Sequence, residues 1–180
     1  RGLSYCATCD APFFRDRKVV VVGGGDTAMD EALALANYAR EIIIVHRREQ
    51  LRACKMLQER VFANKKISFV WNSIVEDIFG ETRVEGVKLK NVQTGEGSTV
   101  LADGVFVAIG YKPNTDIFKG QIQLDDYGYI IVHDETKTSV EGVFAAGDAQ
   151  DFKYKQAITS AGSGARAALD CVRCLQEHSL

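Results

Sequence analysis

Cys6 and Cys9 are separated by Ala7 and Thr8, and Asp10 follows directly. Two thiols at this spacing can close a disulfide around a very small loop. The chain-entropy model assigns such a loop only roughly 2 kcal/mol, so cycling between disulfide and dithiol is the better use of the pair. Asp10 is placed to give or take the proton as a thiolate forms or leaves. Two other chemistries fit the same residues: a half-site for zinc, or two inert thiols. Zinc needs two further ligands, and the other close cysteine pair is Cys171-Val-Arg-Cys174. That pair lies late in an expected helix, where cysteine behaves as a small hydrophobe. Cys54, Cys171 and Cys174 are therefore expected to be structural. The histidines, His46, His133 and His178, show no ligand spacing, and no metal site is expected.

A second constellation binds rather than reacts. Gly23-x-Gly25-Asp26-Thr27-Ala28 follows an apolar run and opens a helical pattern. Gly23 permits the tight turn and Gly25 lets the backbone approach a pyrophosphate. Ala28 lets helix and strand pack closely, and the helix N-terminus attracts the phosphate charge. Asp26 and Asp30 near that N-terminus suit backbone capping better than phosphate contact. About 20 residues further on, an NAD site usually offers an acid to the ribose 2′-hydroxyl. Here the place is held by His46-Arg47-Arg48, with Arg52 one helical turn beyond. Guanidiniums without an adjacent carboxylate before Glu49 favour a 2′-phosphate, hence NADP(H).

Two later segments complete the inventory. Gly147-Asp148 ends an apolar run, where an acid suits a ribose or ribitol hydroxyl at a sheet's carboxyl edge; helix capping is the other reading. Gly162-Ser-Gly164-Ala-Arg-Ala167 copies the glycine pattern but follows no strand. It reads as small residues within a helix that allow close approach of a neighbour, including a flat cofactor.

The elements that must position these groups are legible from periodicity. Lys18–Val22, Ile42–Val45 and Ile67–Trp71 read as buried strands. Helices are expected from Thr27 to Arg40 and from Leu51 to Asn64, which makes a βαβαβ unit with a parallel sheet. Ser73–Phe79, Val84–Asn91 and Thr99–Ala102 alternate apolar and polar residues, as in an antiparallel meander. It precedes a last core strand, Gly104–Gly110. Beyond Thr115 the expectation is two short strands around Asp125 and Asp126, a strand over Gly142–Asp148, and a helix from about Gln156 to Glu177. Gly104-Val-Phe-Val-Ala-Ile-Gly110 and Gly142-Val-Phe-Ala-Ala-Gly147 are near copies. They read either as equivalent strands of two related domains or as chance similarity.

Composition narrows the function classes. Of 180 residues, 46% are hydrophobic and 26% charged, ordinary globular values. The formal charge of −2 leaves no electrostatic footprint for nucleic acid or an acidic membrane surface. The apolar runs are far shorter than the ~20 residues of a membrane span. Five scattered cysteines are no disulfide scaffold and suit a reducing, cytoplasmic compartment. The sequence opens at Arg1 with the cysteine pair almost at once, so it is expected to continue a longer protein.

The order of the motifs is more specific than any one of them. Cys6-Ala-Thr-Cys9-Asp10, Gly23-Gly-Gly-Asp-Thr-Ala28, His46-Arg-Arg-x-x-x-Arg52, Phe144-Ala-Ala-Gly-Asp148 and Gln156-Ala-Ile-Thr-Ser-Ala-Gly162 occur in sequence. Together they resemble the low-molecular-weight (bacterial-type) thioredoxin reductase family over essentially the whole chain. The resemblance implies an α/β, Rossmann-like three-layer NAD(P)/FAD-binding fold of the two-domain pyridine-nucleotide disulfide oxidoreductase type. It further implies a cytoplasmic homodimer that carries electrons from NADPH through FAD to the cysteine pair and on to thioredoxin.

Residue by residue, the resemblance makes Cys9 the thiol facing the flavin, Cys6 the one attacking thioredoxin, and Asp10 the acid–base group. Arg47, Arg48 and Arg52 would hold the 2′-phosphate beside His46. Gly147, Asp148, Lys155, Gln156 and Ala157 would line FAD. Ala11-Pro12 stands where the family often has Gly, and Lys155 where it usually has Arg. A glycine fingerprint for the FAD adenosine diphosphate half, which the family places upstream of the cysteines, is not found in the sequence. Residues 1–110 are thus expected to be the NADPH domain and 111–180 the C-terminal portion of an FAD domain. Two other functions share these motifs: the reductase of a peroxide-detoxifying system, and a non-catalytic NADP(H)-binding module whose cysteines form a redox switch or zinc half-site.

Overall fold

The computed structural model describes residues 1–177, so His178 lies outside the described residues. The chain divides into two compact units, 1–110 and 111–180.

The first unit is built on a five-stranded parallel sheet. Its strands are β1 (Leu3–Ser4), β2 (Lys18–Val22), β3 (Glu41–Val45), β4 (Ile67–Val70) and β8 (Gly104–Val107), in the order β1-β8-β2-β3-β4. The continuous β-branched runs of β2 and β3 follow from burial on both faces. Val19, Val21, Ile42, Ile44 and Phe106 point into a core shared with α1 (Ala7–Asp10), α2 (Asp26–Leu35) and α3 (Lys55–Ala63). Val20, Ile43, Val45 and Val105 point the other way. There they meet Val87 and Leu89 of an antiparallel meander, β5 (Ser73–Phe79), β6 (Gly86–Asn91) and β7 (Gly97–Leu101). Helices, parallel sheet and meander make three layers. Each fully buried Val or Ile contributes about 1.5–3 kcal/mol of hydrophobic stabilisation to them.

Both expected helices are shorter than their apolar pattern. α2 stops at Leu35 because the Asn37 amide takes up the Leu33 and Ala34 carbonyls and the chain turns toward β3. α3 starts only at Lys55, since the Arg52 and Ala53 N–H groups are drawn to the Gly24 carbonyl at 2.7 and 3.2 Å. A local side-chain cap ends the periodicity of α2, and long-range bonds to Gly24 delay that of α3.

The second unit carries α4 (Ala157–Glu177) and short loops. The strand expected over Gly142–Asp148 is absent. Its backbone pairs with the short segment 136–138 through a single bridge between Lys137 and Phe144, the Val143 N–H turns back to the Val140 carbonyl, and residues Gly147–Ala149 form a 3-10 turn. The two strands expected near Asp125 likewise reduce to one bridge, Leu124 to Ile130, because the Asp125 carboxylate folds a turn by accepting the Tyr127 and Tyr129 N–H groups. Gly162 and Gly164 lie within α4, as read.

Candidate redox and dinucleotide site

The two constellations of the first unit meet at the carboxyl ends of its parallel strands, where open α/β sheets bind ligands. The cysteine loop follows β1, the glycine loop follows β2, and Arg47 and Arg48 follow β3.

Cys6 and Cys9 are joined by a disulfide, with Cα atoms 5.3 Å apart. Cys6 is the N-cap of α1, and its sulfur accepts the Cys9 N–H at 3.2 Å. Cys6 is half-buried and Cys9 exposed. The loop is anchored from below by Ala7 and Ala11, both buried against α2, and by Phe14, whose ring meets Phe106 edge-on at 5.0 Å. Gly104 is required under that ring, since a Cβ there would overlap Phe14. Ala11, which stands where the family often has Gly, is thus buried.

Asp10 is held by Ser4, whose hydroxyl donates to Oδ2 at 2.7 Å and accepts the Cys6 N–H at 3.1 Å. The Glu31 carboxyl of α2 accepts the Ala7 N–H of the same loop. Burial pushes the Glu31 pKa up to about 7, against the opposing pull of that hydrogen bond. Neither Ser4 nor Glu31 has a sequence signature. The register of β1 against β8 and the helical phase of α2 bring them to the loop.

At the glycine loop the structure separates three roles. Gly23 has φ +152°, and a Cβ would collide with the Ala108 carbonyl and the Ala28 methyl. Gly24, not singled out from the sequence, lies over the His46 ring, which fills the space a Cβ would need. Gly25 has nothing within 4 Å of a Cβ. Packing does not demand glycine there, and the space beside it is open. Gly25 is the N-cap of α2 and makes no side-chain cap, so the N–H groups of the first turn at Asp26, Thr27 and Ala28 are presented to an anion. Asp26 instead accepts the Cys54 N–H at 2.7 Å and fixes the start of α3. Cys54, read as structural, is exposed.

His46 is buried, with Nε2 donating to the Gln50 carbonyl at 3.1 Å. Burial lowers its pKa; the Gln50 carbonyl opposes this, and Arg52, Arg48 and Arg47 reinforce it. A cavity of about 360 Å³ opens between Gly23, Gly24, His46, Arg47, Arg52 and Ala108. Beside it lies a groove of about 490 Å³ bordered by Arg47, Arg48, Arg52 and Asn72. An open glycine loop, an uncapped helix start and exposed guanidiniums fit a phosphorylated dinucleotide.

In the second unit Gly147 has φ +70° and donates its N–H to Ser163 at 3.0 Å, and Asp148 accepts Ser160 at 3.0 Å. Lys155 turns its ammonium over the rings of Tyr111 and Tyr129 and onto the Phe152 carbonyl. Gln156 donates to Tyr154, and Ala157 opens α4. Asp151, missed in the sequence, organises this turn. Burial opposes its ionisation, yet three N–H groups and the Thr159 hydroxyl outweigh burial and lower its pKa. A groove of about 610 Å³ runs between the 150–154 turn and Gly162, Ser163 and Arg166. His133 is exposed, and among the described residues no cluster of His, Cys, Asp or Glu is arranged to hold a metal ion. No helix among them is long and apolar enough to cross a membrane.

These features define an α/β protein of dinucleotide-binding type with a disulfide at the same sheet edge. The chain belongs to the pyridine nucleotide-disulphide oxidoreductase family, which it matches over residues 1–164. It is 53% identical over 176 residues to the thioredoxin reductase of Streptomyces clavuligerus, covering 97% of this chain and 55% of that protein. The thioredoxin reductase of Peptoclostridium acidaminophilum is likewise 53% identical over 184 residues, covering 99% and 58%. The crystal structure of thioredoxin reductase from Streptococcus pyogenes superposes with a TM-score of 0.89 at 43% identity, over 98% of this chain and 58% of that one. That of Giardia duodenalis does so with a TM-score of 0.82 at 41% identity, over 97% and 58%. The chain therefore spans a little over half the length of these relatives.

Proposed function

We propose that this chain is the nicotinamide-nucleotide and disulfide-bearing part of an NADPH-dependent flavoprotein disulfide reductase whose substrate is the disulfide of thioredoxin. The observation that carries the proposal is the convergence of the Cys6–Cys9 disulfide and the glycine–arginine cleft on one sheet edge. The names of the relatives support the protein substrate.

Arg47, Arg48 and Arg52 would hold a 2′-phosphate, and Gly25 with the first turn of α2 a pyrophosphate. Asp148, Lys155, Gln156 and Ala157, around the groove beside α4, would line FAD. The chemistry such cofactors supply when bound is a hydride equivalent from a dihydronicotinamide, relayed by an isoalloxazine to the disulfide. Once the pair is reduced, the chain's own residues do the rest. The Cys9 N–H favours the thiolate at Cys6. Cys6 attacks one sulfur of the partner's disulfide, that bond breaks, and the departing thiolate takes a proton from Asp10. Cys9 then gives its thiol proton to Asp10 and displaces the partner's remaining sulfur from Cys6, re-forming Cys6–Cys9; that sulfur takes a proton back from Asp10 as the dithiol leaves. One disulfide, with Cys54, Cys171 and Cys174 outside it, suits a reducing, cytoplasmic setting. Exposed Ile158, Leu169, Val172 and Leu175 on α4 offer apolar surface for further chain or for the second copy of a homodimer.

The test uses the full chain, reduced with dithiothreitol and desalted, then mixed with oxidised thioredoxin. Transfer of two electrons to thioredoxin is expected, and Cys9→Ser should accumulate a mixed disulfide through Cys6 while Cys6→Ser should not. A pair that will not reduce, or that exchanges with no protein disulfide, would sink the proposal.

A further inference from the structure

Glu31 sits where the proposed chemistry has no use for it. It lies in mid-α2 on the side that packs against α1, and its carboxyl reaches the Ala7 N–H, the peptide directly after Cys6. Its Oε2 is shut off from solvent and bonds to nothing, the one buried side-chain polar atom without a partner among the described residues. A buried carboxyl oxygen without a partner costs about 1–3 kcal/mol, more if charged. A glutamine or an apolar residue would avoid the ionic part of that cost.

We propose that Glu31 is a positioning residue for the Cys6–Cys9 couple: its carboxyl holds the redox loop through the Ala7 N–H, and its ionisation opposes that of the thiol formed at Cys6. The inference rests on the pair being redox-active. The geometry gives Glu31 two separable roles. As a tether it satisfies a first-turn donor of α1 that the helix itself leaves open. As a charge it lies in a poorly solvated place against the Ala7 N–H of the peptide that follows Cys6, and would repel a thiolate formed there.

Among the described residues no ion pair offsets that charge. The charged groups on the surrounding elements are Asp10 on α1, Arg15 after it, Lys18 on β2, Glu41 on β3, and Lys55, Glu59 and Arg60 on α3. Asp26 and Asp30 share its own helix. Asp10 is engaged with Ser4, Arg15 lies over the Tyr38 ring, Lys18 pairs with Glu41 and Asp26 caps α3. None contributes to the raised pKa of Glu31, which comes from burial against the Ala7 hydrogen bond. With that pKa at about 7, the repulsion is present above neutral pH and fades below it.

The test compares the full chain with Glu31→Gln, which keeps an acceptor for Ala7 but cannot ionise. Dithiothreitol opens the pair with two electrons. One reagent sulfur displaces a cysteine, the second closes the reagent's ring disulfide and frees the other cysteine. The two thiol protons of the reagent end on Cys6 and Cys9. After desalting, the rate of alkylation at Cys6 by iodoacetamide is followed against pH. Glu31→Gln should react roughly fivefold faster than wild type at pH 8 and equally at pH 6. Equal rates at both, or a faster wild type at pH 8, would overturn the proposal. Should the variant not fold, the wild-type Glu31 carboxyl can be titrated directly by carbon NMR. Its midpoint should rise when the disulfide is reduced and the thiolate forms, and an unmoved midpoint overturns the inference. A pair that dithiothreitol does not open defeats the redox reading itself, so the two failures are told apart.

Discussion

The Ser4 hydroxyl donates to Asp10 Oδ2 at 2.7 Å while accepting the Cys6 N–H at 3.1 Å, so one buried serine ties both ends of the redox loop to β1. Ser4→Ala removes both bonds and leaves the Cys6 N–H without this acceptor. It should cost about 1–2 kcal/mol in urea denaturation. Asp10→Asn keeps an acceptor for Ser4 and should cost less. It removes the proposed proton donor, however, and should slow exchange with thioredoxin by ten- to a hundredfold or so. If Ser4→Ala leaves stability unchanged, the serine is not what holds the loop.

The glycine loop invites a sharper dissection. Gly24→Ala drives a methyl into the His46 ring and should destabilise the fold by ~1–3 kcal/mol. Gly25→Ala meets no atom within 4 Å, and its φ of −97° suits any residue. It should lower stability by at most about 1 kcal/mol, the difference between Gly and Ala at an N-cap. Its dinucleotide affinity should nonetheless fall at least roughly tenfold, because the methyl takes the space a pyrophosphate needs. Thermal melts and NADPH titrations of the two variants should therefore rank them in opposite senses. Unimpaired binding by Gly25→Ala would remove the pyrophosphate from that place.

How much of this was legible depends on where the information lies. Lys18–Val22 and Ile42–Val45 could be read because burial on both faces demands unbroken apolar runs. Gly23 could be read because turn geometry is a local constraint. Gly24 could not, since its need for hydrogen arises from His46, more than twenty positions away. Ser4 and Glu31 look like ordinary polar residues until the sheet order and the packing of α1 on α2 bring them together. The run at Val143–Ala146 erred in the other direction. Its composition is that of a strand, but hydrogen bonding to a short segment yields one bridge rather than a ladder.

The proposed preference for NADPH rests on the exposed guanidiniums of Arg47, Arg48 and Arg52. Substituting Arg47 and Arg48 with Gln should weaken NADPH binding by about ten- to a hundredfold, because charge-assisted bonds to a 2′-phosphate are lost. NADH, without that phosphate, should change by no more than about threefold. Added salt should narrow the wild-type preference, since these side chains are solvated. Calorimetric titration of both nucleotides decides it, and equal losses for both would show that the patch does not read the 2′-phosphate.

The pH dependence of stability should carry two opposing signatures. Buried His46 has a folded-state pKa below its ordinary 6.5, so the unfolded chain binds the proton more readily. Its contribution is present above 6.5 and lost as pH falls through the lowered value. Glu31 acts in the other direction. Its folded-state pKa of about 7 lies above the ordinary 4.5, so the native state binds the extra proton between those values. Its contribution is full below 4.5 and lost as pH rises through 7. From the lowered His46 value up to 6.5 the two effects oppose each other, and from 6.5 upward Glu31 acts without His46. Subtracting wild-type from Glu31→Gln stability, by urea midpoints from pH 4.5 to 8, isolates one of them. The difference should move in favour of the variant as pH rises and level off above about 8. His46→Asn should remove only the loss on the acid side. A flat difference for Glu31→Gln would mean that its carboxyl titrates alike in the folded and unfolded chain, which its sealed Oε2 atom argues against.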